Sequence, residues 1–106
     1  MKGDRVGEFE ELLLLALQAL SNETYVVTIQ QYLERVTGRG VSLGAVYAGL
    51  DRLELKGFVR SSMGDATPER GGKRKRLFTV TREGKSTVQE VRRVREAIWR
   101  VIETGR

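Results

Sequence analysis

Residues 26–57, VVTIQQYLERVTGRGVSLGAVYAGLDRLELKG, carry the clearest structural pattern of the sequence. In its first part, apolar residues recur three and four positions apart, the spacing of one helix face, at Ile29, Tyr32, Leu33 and Val36. This pattern predicts a helix over about 26–37. Gly38-Arg39-Gly40 would end that helix and form a tight turn, because glycine tolerates the left-handed conformation found there.

A second helix is predicted to begin after Ser42, whose hydroxyl can cap the free amides of a first turn. Val46, Leu50 and Leu53 would form its inner face, and Gly57 lies where a helix commonly ends. Two short helices joined by a glycine turn make a helix-turn-helix candidate. The spacing alone is a weak signal, since any small helical domain contains short links of this kind.

A β-hairpin is predicted directly after this pair of helices. Residues 58–63, FVRSSM, and 75–80, KRLFTV, have strand character, with Phe78 and Val80 on one side. The segment between them, 64–74, contains the only proline and a glycine pair, which predicts an extended loop. A hairpin with a long basic tip behind a helix-turn-helix is the winged-helix arrangement.

Two further helices are predicted at the ends of the chain, over about 7–20 and 82–104. In the first, the apolar run 12–17 covers nearly the whole circumference, so the helix is expected to be buried on all sides, either as a central core helix or against a second chain. At 1.5 Å per residue the last helix would be about 34 Å long and project beyond so small a domain. Its apolar stripe therefore predicts contact with another chain.

Composition narrows the class of protein. The 106 residues include neither Cys nor His, which excludes disulfides and zinc-thiolate sites and removes the common general base. We therefore predict that the chain is not an enzyme and holds no metal or cofactor. Its longest apolar run, 12–17, is far shorter than the roughly 20 residues that span a bilayer. The expected location is cytoplasmic, with no membrane partner.

The net charge of +5 is unevenly distributed, with −4 over residues 1–34 and +9 over residues 35–106. The densest cluster, Arg70-Gly-Gly-Lys-Arg-Lys-Arg76, contains no acidic residue, and its glycines let the backbone approach a ligand closely. On a hairpin tip such a segment can follow phosphates or enter a minor groove. A solvated flexible loop is the alternative. The position beside a helix-turn-helix favours contact with nucleic acid.

The start of the helix after Ser42 is the second candidate contact surface. If this helix enters a major groove, its first residues face base edges, and Ser42 with the free amides can meet a phosphate. Leu43, Gly44 and Ala45 are small or apolar, which favours contact with a thymine methyl group. Tyr47 could donate its hydroxyl to a phosphate, or pack as a half-buried core ring. Gly49, costly inside a helix, suggests close approach of DNA or of another helix.

Three segments together resemble the PadR family of bacterial transcriptional regulators. The segment 41–59, VSLGAVYAGLDRLELKGFV, looks like the recognition-helix block of that family, 70–78 is similar to its wing, and 80–84 is similar to its entry into the last helix. With the first helix, these segments cover nearly the whole chain in the family's order. Two positions depart from the family, since Val26 follows Tyr25 and the wing ends in Leu77-Phe78 instead of two tyrosines.

The resemblance implies an α+β, mainly α-helical fold, a winged helix-turn-helix with a two-stranded wing and a long C-terminal dimerisation helix. Residues 1–81 would be the DNA-binding domain and 82–106 the dimerisation helix of the same compact unit. It implies a homodimeric repressor that reads a pseudo-palindromic operator on double-stranded DNA. The expected DNA contacts are Ser42, Leu43, Gly44, Ala45, Tyr47, Arg52, Arg70, Gly71, Gly72, Lys73, Arg74, Lys75 and Arg76.

The last helix would pack against the N-terminal region of the other subunit. The expected dimer contacts are Phe9, Leu12, Leu13, Val91, Val94, Ile98, Val101 and Ile102. Some short members of the family bind flat hydrophobic drugs between their subunits, which would make Trp99 an effector-binding residue. The alternative for Trp99 is ordinary packing in the dimer seam. The alternative for the whole chain is a winged-helix module that binds another protein and no DNA.

Overall fold

The computed structural model describes residues 5–64 and 75–105. In chain order these residues form α1 (Glu8–Ala19), β1 (Thr24–Tyr25), α2 (Val26–Thr37), α3 (Leu43–Leu55), β2 (Val59–Met63), β3 (Arg76–Val80) and α4 (Arg82–Thr104). The strands make one antiparallel sheet in the order β1-β3-β2. The fold is mainly helical with a small sheet, which confirms the predicted class and places all four predicted helices and both hairpin strands within a residue or so of their expected bounds.

The third strand, β1, was not predicted. It is only two residues long, with Thr24 opposite Phe78 and Tyr25 opposite Leu77. Next to it, the side chain of Asn22 makes the hydrogen bonds to β3 that a backbone would make in a longer strand. The Asn22 carboxamide accepts from the Val80 amide at 3.0 Å and donates to the Val80 carbonyl at 3.4 Å. The sheet therefore joins the loop after α1 to the base of the hairpin.

One hydrophobic core unites α1, α2, α3 and the sheet. Its fully buried members include the predicted inner face of α3, Val46, Leu50 and Leu53. Two predictions are wrong here. Val36 is 62% exposed, because the core contacts of α2 end at Leu33 and do not reach its last turn. Leu13, expected at the dimer interface, is 0% exposed and lies inside the subunit.

Two helical glycines allow close contacts between elements. A Cβ on Gly49 would lie 2.4 Å from Cδ1 of Leu13, so the close approach is to helix α1. A Cβ on Gly84 would lie 2.2 Å from the Phe58 carbonyl oxygen, so the first turn of α4 rests directly on the backbone that leads into β2. These contacts fix α3 on α1 and the base of α4 on the hairpin.

The outer half of α4 leaves the body of the subunit. The described residues extend 58 × 31 × 22 Å and have a radius of gyration of 15.7 Å. A compact domain of this length would have a radius of gyration of about 13 Å. Every residue from Arg92 to Gly105 is exposed. No helix in the described ranges is both long and apolar enough to cross a membrane.

Candidate nucleic-acid interface

The turn between α2 and α3 is held by side chains of α2. Gly38 ends α2 in the left-handed conformation, with φ of 70°. Beyond it, the Gln30 amide donates to the Val41 carbonyl at 2.7 Å, and the Val41 amide donates to the Glu34 carboxylate at 3.0 Å. Both backbone groups of Val41 are thus satisfied by one helix, which fixes where α3 begins. Sequence reasoning missed this pair, although its spacing of four residues places both side chains on one helix face.

The first turns of α3 present an exposed surface. Ser42 caps the helix, its hydroxyl accepting from the Ala45 amide at 3.0 Å. Ser42, Leu43, Gly44 and Ala45 are exposed, whereas Val46 is buried. Tyr47 is 45% exposed, so its ring is accessible and does not fill the core. The predicted contact residues are therefore exposed around the first turn of the helix, whereas the buried residues further along share one side.

Arg52, predicted to contact DNA, lies beside a buried carboxylate. The Glu10 side chain, 5% exposed, accepts from Arg52 Nε at 3.0 Å, from Lys56 Nζ at 2.8 Å and from the Gly7 amide at 2.7 Å. Burial alone would raise the pKa of Glu10, but these hydrogen bonds outweigh it and hold the pKa below its ordinary value. The ionised carboxylate ties α1 to the second half of α3. Sequence reasoning missed Glu10, whose spacing of three from Gly7 is a capping signal.

The hairpin carries the last two residues of the basic cluster. Lys75 is exposed and its ammonium lies 5.3 Å from the centre of the Tyr25 ring. Arg76 faces α3, where its Nη2 lies 2.7 Å from Glu54 Oε1 and 3.4 Å from Asp51 Oδ1. The predicted contacts Arg70, Gly71, Gly72, Lys73 and Arg74 lie outside the described residues.

An open groove of about 760 Å³ separates α1 from the turn and from the start of α3. Phe9 and Leu12, both predicted dimer contacts, line it together with Val41 and Arg95. Arg95 reaches it from α4 through an ion pair with Glu11 at 3.2 Å. One side of the groove is therefore the contact between α1 and α4, and the other side is the end of the α2–α3 turn, where α3 begins. Trp99 is not among its lining residues.

The predicted dimer residues of α4 form an exposed apolar stripe. Val91 is partly buried, and the members beyond it are exposed, namely Val94, Ile98, Val101 and Ile102. Trp99, beside the stripe, is 58% exposed. Arg92–Glu96 and Glu90–Arg93 ion pairs occupy other positions on the same helix. The helix is therefore amphipathic, and over residues 92–105 the rest of the chain leaves both its apolar and its charged face exposed.

The chain and its fold match known regulators. The sequence model of the transcriptional regulator PadR-like family matches residues 13–90. Among solved structures, the chain is similar to a PadR-like transcription factor from Bacteroides fragilis, with a TM-score of 0.77 at 20% identity over 90% of this chain and 86% of that one. A PadR family regulator from Eggerthella lenta gives a TM-score of 0.65 at 26% identity over 92% and 81%.

PadR from Bacillus subtilis, in complex with operator DNA, gives a TM-score of 0.67 at 19% identity over 78% of this chain and 45% of that one. Among curated protein sequences, none matches the chain significantly. The family match covers most of the chain, from the core of α1 into α4, and includes the turn, α3 and the hairpin. The chain therefore belongs to the PadR-like family of transcriptional regulators.

Proposed function

We propose that this chain is a sequence-specific DNA-binding repressor that places α3 in a major groove. The observation that carries the proposal is the exposed surface of Ser42, Leu43, Gly44, Ala45 and Tyr47 at the start of a helix whose entry is fixed by α2. Helices of helix-turn-helix proteins read base edges with their N-terminal residues. The similarity in fold to a regulator that was solved on operator DNA supports the same partner, double-stranded DNA. The proposed location is the cytoplasm.

The proposed active unit is a homodimer. The stripe of Val94, Ile98, Val101 and Ile102 is exposed in one chain, and a second copy that covers it would remove apolar surface from water. Phe9 and Leu12, in the groove beside α1, supply the complementary apolar surface. Two-fold symmetry would place two α3 helices on half-sites about one helical turn apart, roughly 34–36 Å, on a pseudo-palindromic operator.

The hairpin is proposed as a wing that lies against the sugar-phosphate backbone or the minor groove. The basic cluster supports this role, because cationic side chains at phosphates release counterions and dominate affinity. Lys73→Ala with Arg74→Ala should therefore weaken binding to all sequences alike. Each lost phosphate contact should lower the slope of log affinity against log salt by about 1.

The matched control removes the same two charges from the other end of the hairpin, by Arg82→Ala with Lys85→Ala. Both residues are exposed and lie in the first turn of α4, where the helix dipole disfavours cations, so their loss should not cost stability. Duplex affinity at two salt concentrations is the measurement. An unchanged affinity and slope in the Lys73/Arg74 variant would contradict a contacting wing. Absence of salt-sensitive duplex binding by the wild-type chain would favour the protein-binding alternative.

A flat hydrophobic effector bound beside Trp99 completes the proposal. Trp99 is the only tryptophan, and it adjoins the proposed seam while remaining exposed in its own chain. Aromatic ligands that stack on its ring would change the intrinsic fluorescence, and release of DNA at the same ligand concentration would link binding to regulation. If a panel of planar aromatic compounds changes neither the fluorescence nor the DNA complex, the proposed effector site at Trp99 is wrong.

A further inference from the structure

One carboxylate on α3 contacts both strands of the hairpin. Oε2 of Glu54 accepts from the Ser61 hydroxyl on β2 at 2.8 Å, and Oε1 accepts from Arg76 Nη2 on β3 at 2.7 Å. Its two oxygens are thus used by two different strands. The Ser61 hydrogen bond, opposed by burial and supported by Arg76, holds the pKa of Glu54 below its ordinary value, so the carboxylate is ionised at neutral pH.

The side chain of Arg76 points from the hairpin toward α3. Arg76 and Phe78 lie on the same face of β3, since side chains alternate along a strand. The guanidinium lies 4.8 Å from the centre of the buried Phe78 ring and 3.4 Å from the Asp51 carboxylate, in addition to Glu54. Its charge is therefore matched within the subunit by two acids on the recognition helix.

These contacts span from the middle of β2 to the outer end of β3, where the buried apolar core ends. At the base of the hairpin, Val59 and Val80 are paired and buried. Toward the tip, Met63 pairs with Arg76 and is 51% exposed, so the core no longer fixes that end. A wing and a recognition helix can meet one duplex together only if the angle between them is set. Charge-assisted hydrogen bonds are the directional interaction suited to setting it.

We propose that Glu54 fixes the angle between the wing and α3 by holding Ser61 and Arg76, and that Arg76 is a positioning residue and not a phosphate ligand. The inference rests on the proposed DNA-binding function and revises the sequence-based expectation for Arg76. It makes an acidic side chain on the recognition helix a requirement for tight DNA binding. Simple electrostatics says the opposite, because removing a negative charge near DNA should raise affinity.

The test exploits this difference in sign. In Glu54→Gln the carboxamide keeps one oxygen that can accept a hydrogen bond. Its NH₂ group faces either the Ser61 hydroxyl or Arg76 Nη2 and cannot accept from it, so one of the two hydrogen bonds is lost. We expect duplex affinity about 10- to 100-fold weaker, the scale of one lost charge-assisted hydrogen bond. Glu23→Gln is the matched control, since Glu23 is exposed, changes the charge equally and has no hydrogen bond among the described residues. Its affinity should be equal to, or slightly above, that of the wild type.

A reversed pair separates a positioning role of Arg76 from direct contact with a phosphate. Arg76→Glu combined with Glu54→Arg keeps the net charge and restores an ion pair, so it should bind DNA more tightly than either single reversal. A phosphate-ligand Arg76 would instead make the double variant as weak as Arg76→Glu. Hydrogen exchange of free Glu54→Gln should be faster in β2 and β3 while the helices stay protected.

Two failures are distinguishable. A wild-type chain that binds no duplex would overturn the proposed function, and with it any claim about affinity. If the wild-type chain binds DNA and Glu54→Gln binds it as tightly or more tightly, this inference alone is overturned.

Discussion

Replacing Gly84 by alanine should destabilise the chain, although the same change stabilises most helices. The new methyl carbon would lie 2.2 Å from the Phe58 carbonyl oxygen and 2.8 Å from Cγ1 of Val80. That oxygen cannot move aside cheaply, because it accepts from the Thr81 amide at 3.0 Å. Overpacking costs about 1–3 kcal/mol. The better helix propensity of alanine offsets at most about 1 kcal/mol of that cost.

The clash should also be felt at the far end of α4. Raising the 2.2 Å contact to an ordinary one requires the first turn of α4 to lift by about 1 Å. The next anchor of the helix is Val88, buried in the core about 6 Å further along at 1.5 Å per residue. With a pivot there, Thr104 lies about 24 Å beyond and would swing by about 4 Å. The exposed stripe would then meet a second copy out of register, which weakens the proposed dimer.

Two other helical glycines provide the controls. Within 3 Å, a Cβ on Gly49 meets only the end of the buried Leu13 side chain, at 2.4 Å, which yields more easily than a backbone carbonyl, while a Cβ on Gly44 meets no atom within 4 Å. Thermal unfolding should therefore rank Gly44→Ala at or above wild type, then Gly49→Ala, then Gly84→Ala. Each kcal/mol corresponds to about 4–8 °C in a domain of this size. Sedimentation equilibrium should show weaker self-association for Gly84→Ala. Melting of Gly84→Ala at or above the wild-type temperature would show that the contact between α4 and the Phe58 carbonyl is not tight.

Two further outcomes test α1 and α4. Glu10→Gln should lower the free energy of unfolding at pH 7 by about 1–3 kcal/mol, because it weakens charged hydrogen bonds to a buried group. The folded pKa of Glu10 is below its ordinary value of 4.5, so its contribution is present above that pH and lost as pH falls. Denaturant titrations should show the two proteins converging in acid, and a constant difference would contradict this assignment. Ile98→Glu, at a position 57% exposed, should leave the subunit folded yet raise the dimer dissociation constant at least about 100-fold, since a symmetric interface loses the side chain twice. Gln89→Glu is the control, because it adds the same charge at an exposed position on the inner half of α4, and it should leave self-association unchanged in light scattering. Equal effects of the two substitutions would contradict a dimer interface on the stripe.

Local sequence signals were sufficient for the helices and the hairpin. The inner face of α3, its cap at Ser42 and the left-handed Gly38 all follow from spacing within a few residues. Strand β1 could not be predicted in this way. It has two residues and no alternation, and its continuation depends on the side chain of Asn22 meeting Val80, 58 residues later.

The parts of the candidate site that depend on tertiary contacts were harder to predict. Exposure of the α4 stripe agreed with the pattern, since helix periodicity separates faces, whereas for Tyr47 the pattern left exposure and core packing open. The same apolar pattern could not tell that Leu13 faces the core, because every position from 12 to 17 is apolar. Charges were the least predictable, since Arg76 looks like part of a basic run until the fold brings Glu54 to it.

Binding to duplex DNA selected from a random pool, measured at two salt concentrations with the mass of the complex, is the most direct test of the central claim. The account predicts two chains on each duplex, a site with related half-sites about one helical turn apart, and affinity that falls steeply with salt. A monomeric chain that retains no duplex even at low salt would contradict it.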